Sequence, residues 1–255
     1  MRGWLGCLWI STAAAWGAPD HAAWDALLRD YVTPSSRVDY AKLKREGAAR
    51  LDAYLATLTP AWPRDWPAAE RKAALLNAYN ARTVWWIVAN YPVQSIWRTK
   101  NPFTAARHPV DGRTLSLDAI ESELRKLGDP RIHAALVCAA RSCPPLRREA
   151  YRATDLDRQL DDNTRAWLAD STLNRFDPAS RTATVSSIFN WYKGDFPSVA
   201  EFLARYAPPG AAGFLRQRGA RIDHLRYRWG LNDASDLGKS YSQAQFLLDR
   251  ARNVF

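Results

Sequence analysis

One stretch of the chain concentrates side chains capable of covalent chemistry. Asp129-Pro130-Arg131-Ile132-His133-Ala134-Ala135-Leu136-Val137-Cys138-Ala139-Ala140-Arg141-Ser142-Cys143-Pro144-Pro145 carries one imidazole and two thiols within eleven residues. Three chemistries use such a set. A thiolate, an imidazole that takes its proton and a polar group that holds the ring make a nucleophile for acyl transfer. Two thiols in an oxidising compartment pair as a disulfide. His133, Cys138, Cys143 and a carboxylate such as Glu121 would form a metal set, but structural zinc sites favour Cys pairs two to four apart, and the spacing here fits no such pattern. No metal and no cofactor is expected.

Local geometry limits the first two. Pro144 and Pro145 lack N–H groups, so a helix starting there would not supply the donors that usually lower a thiol's pKa. Within one regular helix, five residues give ~7.5 Å of rise and ~140° of rotation, beyond the ~7 Å Cα limit for a bridge. A Cys138–Cys143 disulfide therefore needs Arg141 to Pro144 to lie past a helix end, where the chain can fold back. The same doubling back is needed if His133, in the first turns of a helix that Asp129 caps, is to meet Cys143 across ~10 Å of helix axis.

Two further pairs stand out. Glu121 and Arg125 are spaced i, i+4, which by itself is an ordinary surface ion pair of ~0.3–0.5 kcal/mol. Asn77 and Asn80, three apart beside Tyr79, share one face of an apolar helix. A buried amide without partners costs roughly 1–3 kcal/mol, so these two either tie neighbouring loop backbones to the helix or contact a substrate.

The elements that must position these residues are mostly helical. Asp20 caps a first helix to about Asp30, Val38 to Tyr40 is a short extended piece, and Lys42 to Leu58 forms a second helix. Pro60 to Pro67 is a rigid connection, since proline fixes φ and forces its predecessor out of the helical region. Ala68 to Asn90 follows, apolar nearly all round between Ala73 and Ala89 and therefore predicted to be a buried central helix that Pro92 stops. Val110-Asp111-Gly112-Arg113 reads as a type I′ hairpin. Ser116 caps a helix from Leu117 to Leu127, and Asp129-Pro130 opens another as N-cap and first helical residue. Thr154 caps an amphipathic helix through Leu156, Leu160, Thr164 and Trp167. Thr182 to Ser186 is a strand, Ser198 caps a helix to Tyr206, and Ile222 to Trp229 is a closing strand. The fold class expected is α+β: a helix-dominated single domain with a buried central helix and a small, mostly antiparallel sheet.

At the start of the chain, Met1-Arg2-Gly3 precedes an uncharged run from Trp4 to Ala15 that ends in small residues around Ala15-Trp16-Gly17-Ala18, the pattern of a secretory signal peptide. That run is shorter than the ~20 residues of a membrane span. Residues 1–18 are thus expected to be a signal peptide with Cys7 inside it, and residues 19–255 one globular domain, periplasmic or secreted, without a transmembrane span. A hydrophobic content of 47% allows a sizeable core. The formal charge of +10 is carried mostly by arginines spread along the chain. No dense basic run or DNA-reading motif accompanies it, so nucleic acid is not an expected partner; an anionic cell-envelope component is the partner class such a charge favours.

Five pieces occur in a telling order. They are Leu76-Asn77-Ala78-Tyr79-Asn80-Ala81; Leu117-Asp118-Ala119-Ile120-Glu121 with Leu124-Arg125; Asp129 to His133 through Ser142-Cys143-Pro144; Ser187-Ile188-Phe189-Asn190-Trp191-Tyr192 with Asp195-Phe196; and Tyr227 with Trp229 and Leu231-Asn232. Together they resemble the successive motifs of the domain of unknown function 547 family, from about Trp24 to Asn232. The resemblance singles out Asn77, Asn80, Glu121, Arg125, His133, Cys143, Trp191, Asp195 and Asn232, and implies kinship rather than an activity. On the chemistry above, Cys143 as nucleophile, His133 as base and Glu121 as the group orienting it are the catalytic candidates for a thiol hydrolase or acyltransferase acting on an unknown substrate. Asn77, Asn80, Arg125 and Asn232 are the substrate-binding candidates. The alternative is a non-enzymatic envelope binding or structural domain with a Cys138–Cys143 disulfide.

Overall fold

The computed structural model describes residues 19–253; the expected signal peptide lies outside the described residues. In chain order the helices are α1 (Ala22–Tyr31), α2 (Tyr40–Lys42), α3 (Ala48–Thr57), α4 (Ala68–Asn90), α5 (Leu117–Arg125), α6 (Leu156–Ala169), α7 (Ile188–Trp191), α8 (Val199–Tyr206), α9 (Ala211–Leu215) and α10 (Gln243–Arg252). The strands are β1 (His108–Val110), β2 (Arg113–Leu115), β3 (Arg175–Asp177), β4 (Thr182–Ser186) and β5 (Arg221–Leu225). The fold is helix-dominated α+β. No helix among the described residues is long and apolar enough to cross a membrane.

α4 is the axis of the core. Its bounds are those the apolar run predicts, and its residues from Ala73 to Val84, with Ile87 and Val88, are buried. α3 and α5 pack along it. The hairpin turns at Asp111 (φ 53°) and Gly112 (φ 67°), the positive φ pair of a type I′ turn. Ser116 accepts from the Ala119 N–H and so starts α5. The predicted second helix is continuous in space but carries a π-helical turn at Leu43–Gly47. In the main sheet β4 is central, antiparallel to β3 and parallel to β5, with Ala183 and Val185 facing the core.

Two predicted elements are shorter than their sequence signals. The helix opened by Asp129 stops after one 3-10 stretch, Pro130–Ala134. The groups that would extend it are taken by buried amides: Asn163 donates to the Ala134 carbonyl, Asn80 donates to that of Ala135 at 2.9 Å, and Asn80 Oδ1 accepts from the Val137 N–H at 2.9 Å. The closing strand ends at Leu225. Beyond it, residues 228–232 run beside residues 139–142, with Arg141 N–H on the Gly230 carbonyl (2.7 Å), Asn232 N–H on that of Ala139 (3.0 Å) and Ser142 N–H on that of Arg228 (3.3 Å). Gly230 is required in this strip, since a Cβ there would stand 1.9 Å from the Gly238 oxygen.

Asn77 serves the other end of the same loop, donating to the Tyr151 carbonyl at 2.8 Å and accepting from its N–H at 2.9 Å. Both asparagines are sealed in the core, at 0% and 2% exposure, and clamp loop backbone rather than open onto a cavity. Asn80→Ala leaves a carbonyl and an N–H unpaired in the interior and is expected to lower the unfolding free energy by about 3 kcal/mol in urea titration; an unchanged midpoint would contradict the clamp.

Candidate active site

The loop that Asn80 and Asn77 pin, together with α5, α7 and the strip after β5, encloses a cleft of about 570 Å³. Glu121, His133, Cys138, Tyr79 and Tyr192 line it on the chemical side; Trp97, Phe103, Trp191, Tyr227, Trp229 and Phe246 supply an aromatic wall. Trp191 stands 48% exposed, stacked on Trp229 with centroids 5.8 Å apart, and Trp229 stacks in turn on Phe246 at 5.2 Å. Such flat faces at a mouth are stacking platforms for ligands.

His133 is held by a chain of partners. Its Nε2 lies 2.7 Å from Asp195 Oδ2, while Arg125 grips the same carboxylate through both oxygens at 2.6 and 2.7 Å. The ring stacks on Tyr192 with centroids 4.3 Å apart. With the carboxylate accepting from Nε2–H, Nδ1 keeps its lone pair. Burial lowers the pKa of His133 against the opposing pull of Asp195, so the ring is neutral near pH 7. The Arg125 guanidinium, aided by His133, holds Asp195 below the ordinary carboxylate range.

The i, i+4 pair read from sequence is thus not the one formed: Arg125 pairs with Asp195, seventy residues further on, and the carboxylate on His133 is Asp195 rather than Glu121. Glu121 lines the cleft beside Tyr192, and burial raises its pKa, helped by Asp118 and opposed by the Tyr192 hydroxyl and Arg125. One cleft therefore holds a carboxyl group that burial pushes toward its protonated form and an imidazole that burial keeps neutral, one able to give a proton and one to take it.

The two thiols sit on either side of a turn. Cys138 is half-buried and lines this cleft, whereas Cys143 is buried and borders a second cleft that also contains Asn232. Asn232 Oδ1 accepts from the buried Tyr40 hydroxyl at 2.9 Å. No hydrogen bond joins His133 to Cys143. Both cysteines are free, with their sulfurs 2.9 Å apart. Cys143 Sγ accepts from the N–H groups of Cys138 (3.1 Å) and Ala140 (3.3 Å) and from the Tyr227 hydroxyl (3.3 Å). Between those two N–H groups Ala139 has φ +61°, a left-handed residue that turns both donors onto one point, the geometry of an anion nest. Burial pushes the Cys143 thiol up, and the hydrogen bonds from Cys138, Tyr227 and the two N–H groups overcome it, so its pKa falls; Cys138, hydrogen-bonded to that sulfur and buried, is raised well above the ordinary thiol. The metal alternative is not assembled: among the described residues no three His, Cys, Asp or Glu side chains stand together as a metal site.

Residues 63–168 match the model of a family described as Protein of unknown function, DUF547. This stretch belongs to that family. The DUF547 stretch contains α4, the hairpin, α5, the loop with His133 and both cysteines, and nearly all of α6. Tyr192 and Asp195 against the imidazole, Tyr227 on the thiols and Trp229 in the aromatic wall come from beyond the DUF547 stretch, so the cleft needs both. Comparison with curated proteins and with solved structures gives no match.

In the sequence Asp195, Trp191 and Tyr227 stand only as motif positions, and Cys138 only as a partner for a disulfide or a metal. The available signal was the Cys-x-x-x-x-Cys spacing across Ala139-Ala140, but nothing local reveals that Ala139 turns left-handed.

Proposed function

We propose that this protein is a cysteine-dependent hydrolase or acyltransferase acting outside the cytoplasm, with Cys138 rather than Cys143 as the attacking sulfur. The observation that carries this reading is the single cleft in which a thiol, a carboxylate-held neutral imidazole and a raised carboxylic acid meet. Export rests on the sequence of the first eighteen residues. With Cys143 starting as a thiolate held by the Cys138 and Ala140 N–H groups and the Tyr227 hydroxyl, Cys138 attacks the acyl carbon as its proton passes to that thiolate, 2.9 Å away. Glu121 protonates the leaving group, which departs and leaves a thioester on Cys138. His133 then takes a proton from water or an acceptor alcohol at Nδ1, with Asp195 stabilising the imidazolium, the oxygen displaces Cys138, which recovers its proton from Cys143, and the imidazolium proton returns to the Glu121 carboxylate, restoring the site.

The substrate fits an acyl compound with an aromatic or other flat apolar portion and an anionic flank. A third cleft of about 420 Å³, sharing Arg226, Tyr227 and Trp229 with the first, is lined by Arg175, Arg226 and Arg228 and, among the described residues, by no carboxylate. That agrees with an anionic envelope component. Purified protein is expected to turn over an activated aryl ester or acyl thioester, and Cys138→Ala to lower that turnover at least ~10³-fold; undiminished turnover in Cys138→Ala would overturn the reading.

A second reading, a non-enzymatic envelope domain stapled by a Cys138–Cys143 disulfide, is favoured by the sulfur contact alone. It predicts that protein isolated from its compartment has neither thiol free, and that reduction lowers stability and brings no turnover.

A further inference from the structure

The acyl reading uses Cys143 only as a proton acceptor, yet its surroundings are those of a thiolate held for another purpose. Two N–H groups, a tyrosine hydroxyl and a neighbouring thiol all point at one sulfur. That assembly is kept at the cost of a left-handed alanine, a conformation that residues with a Cβ avoid. A bridge needs a sulfur separation of ~2.0–2.1 Å, under an ångström closer than the pair already stands. Cys138, half-buried, lines the aromatic cleft of about 570 Å³, whereas Cys143 is buried and borders only a smaller cleft of about 260 Å³. That asymmetry is the layout of an attacking and a resolving cysteine.

We propose that Cys138 and Cys143 are a dithiol that exchanges with disulfides entering the aromatic cleft, Cys138 attacking and Cys143 resolving. This activity breaks and makes S–S bonds and does not rest on the acyl-transfer reading. Cys143 starts as the thiolate that its hydrogen-bond donors hold; the Cys138 proton moves to it across their contact, and the resulting Cys138 thiolate attacks one sulfur of R–S–S–R′, forming a mixed disulfide and expelling R′S⁻. R′S⁻ takes the proton back from Cys143. The Cys143 thiolate then attacks Cys138 Sγ, closing the intramolecular disulfide and releasing RS⁻. The substrate disulfide gains two electrons, and the protein dithiol loses them.

The nest also sets the direction in which the pair is poised. By stabilising the reduced form it makes the closed disulfide easy to reduce again, unlike a structural bridge. The arginine-lined cleft beside the entrance favours disulfides flanked by carboxylates.

The test uses the full chain with Cys7→Ser, so that only these two thiols respond, and 5,5′-dithiobis(2-nitrobenzoic acid), an aromatic disulfide bearing carboxylates. The expected result is release of both thionitrobenzoate groups per chain, with the product two hydrogens lighter than the starting protein and carrying no adduct. Adding Cys143→Ser is expected to halve the release and trap the adduct on Cys138. Adding Cys138→Ser instead is expected to slow release about a hundredfold or more, because Cys143 is buried. In mixtures of reduced and oxidised glutathione the pair is expected to be partly oxidised at millimolar thiol. Two stable adducts on one chain, no release from folded protein, or a bridge that stays fully closed in millimolar reduced glutathione would each overturn the proposal.

Discussion

Asp195→Asn is expected to lower acyl-transfer turnover by about 10²–10⁴-fold with little change in stability. The reason lies in which atoms the carboxylate serves. Arg125 donates to both of its oxygens, and His133 donates Nε2–H to one of them. An amide has a single acceptor oxygen. If that oxygen stays with the Arg125 fork, the amide N–H₂ faces Nε2, which must then accept and carry its hydrogen on Nδ1 instead. The imidazole would present the wrong tautomer to water, a change of the kind that costs a catalytic histidine most of its rate. Arg125→Gln leaves the carboxylate in place and is expected to cost less, about tenfold, with a shift of the acid limb. Because burial lowers the His133 pKa, the base stays available below pH 6.5 in the native protein. A pH profile of kcat in which Asp195→Asn retains wild-type rates would remove His133 from the chemistry.

The second large effect concerns stability in acid. His108 is fully buried and neither ring nitrogen has a hydrogen-bond partner among the described residues. Burial, with Arg82 and Arg107 nearby, lowers its pKa to about 3. In the unfolded chain the ring protonates near 6.5, so between pH 6.5 and about 3 the unfolded state binds more protons than the folded one. Stability from this group is therefore complete above 6.5 and falls as the pH is lowered, by up to ~1.4 kcal/mol per unit. His21, lowered to about 4 by burial, adds in the same sense. His108→Phe keeps a ring against Trp85 and removes the titration, so at pH 5 it is expected to exceed the native chain in stability by about 2 kcal/mol relative to their difference at pH 8. Parallel stability curves for the two proteins would show that the ring is not neutral in the fold.

Much of the frame was legible because its signals are local. The apolar run of α4, ended by prolines, was read with its observed bounds, and so were the Asp111-Gly112 hairpin, the Ser116 cap and strand β4. The site was legible by residue type and not by pairing. Arg125 and Asp195, or His133 and Asp195, meet only because α5, the 130–134 turn and the 193–195 turn pack together, and no periodicity encodes that contact. The helix after Asp129 failed for a similar reason: side chains of α4 and α6, remote in sequence, outbid the helix for its backbone groups. Once that helix stops, Ala139 can turn and Cys138 takes the place at the cleft that the sequence assigned to Cys143.

The most direct test of the central claim, that Cys138 is the nucleophile of this cleft, is to mix the protein with an excess of an activated acyl ester, quench within the first turnover and locate the acyl group by peptide mass. A single acyl group on Cys138, accumulating in His133→Ala because the second step has lost its base, is the result expected. An acyl group on Cys143 or on a surface lysine with none on Cys138, or a chain that turns the ester over without ever carrying it, would contradict the account.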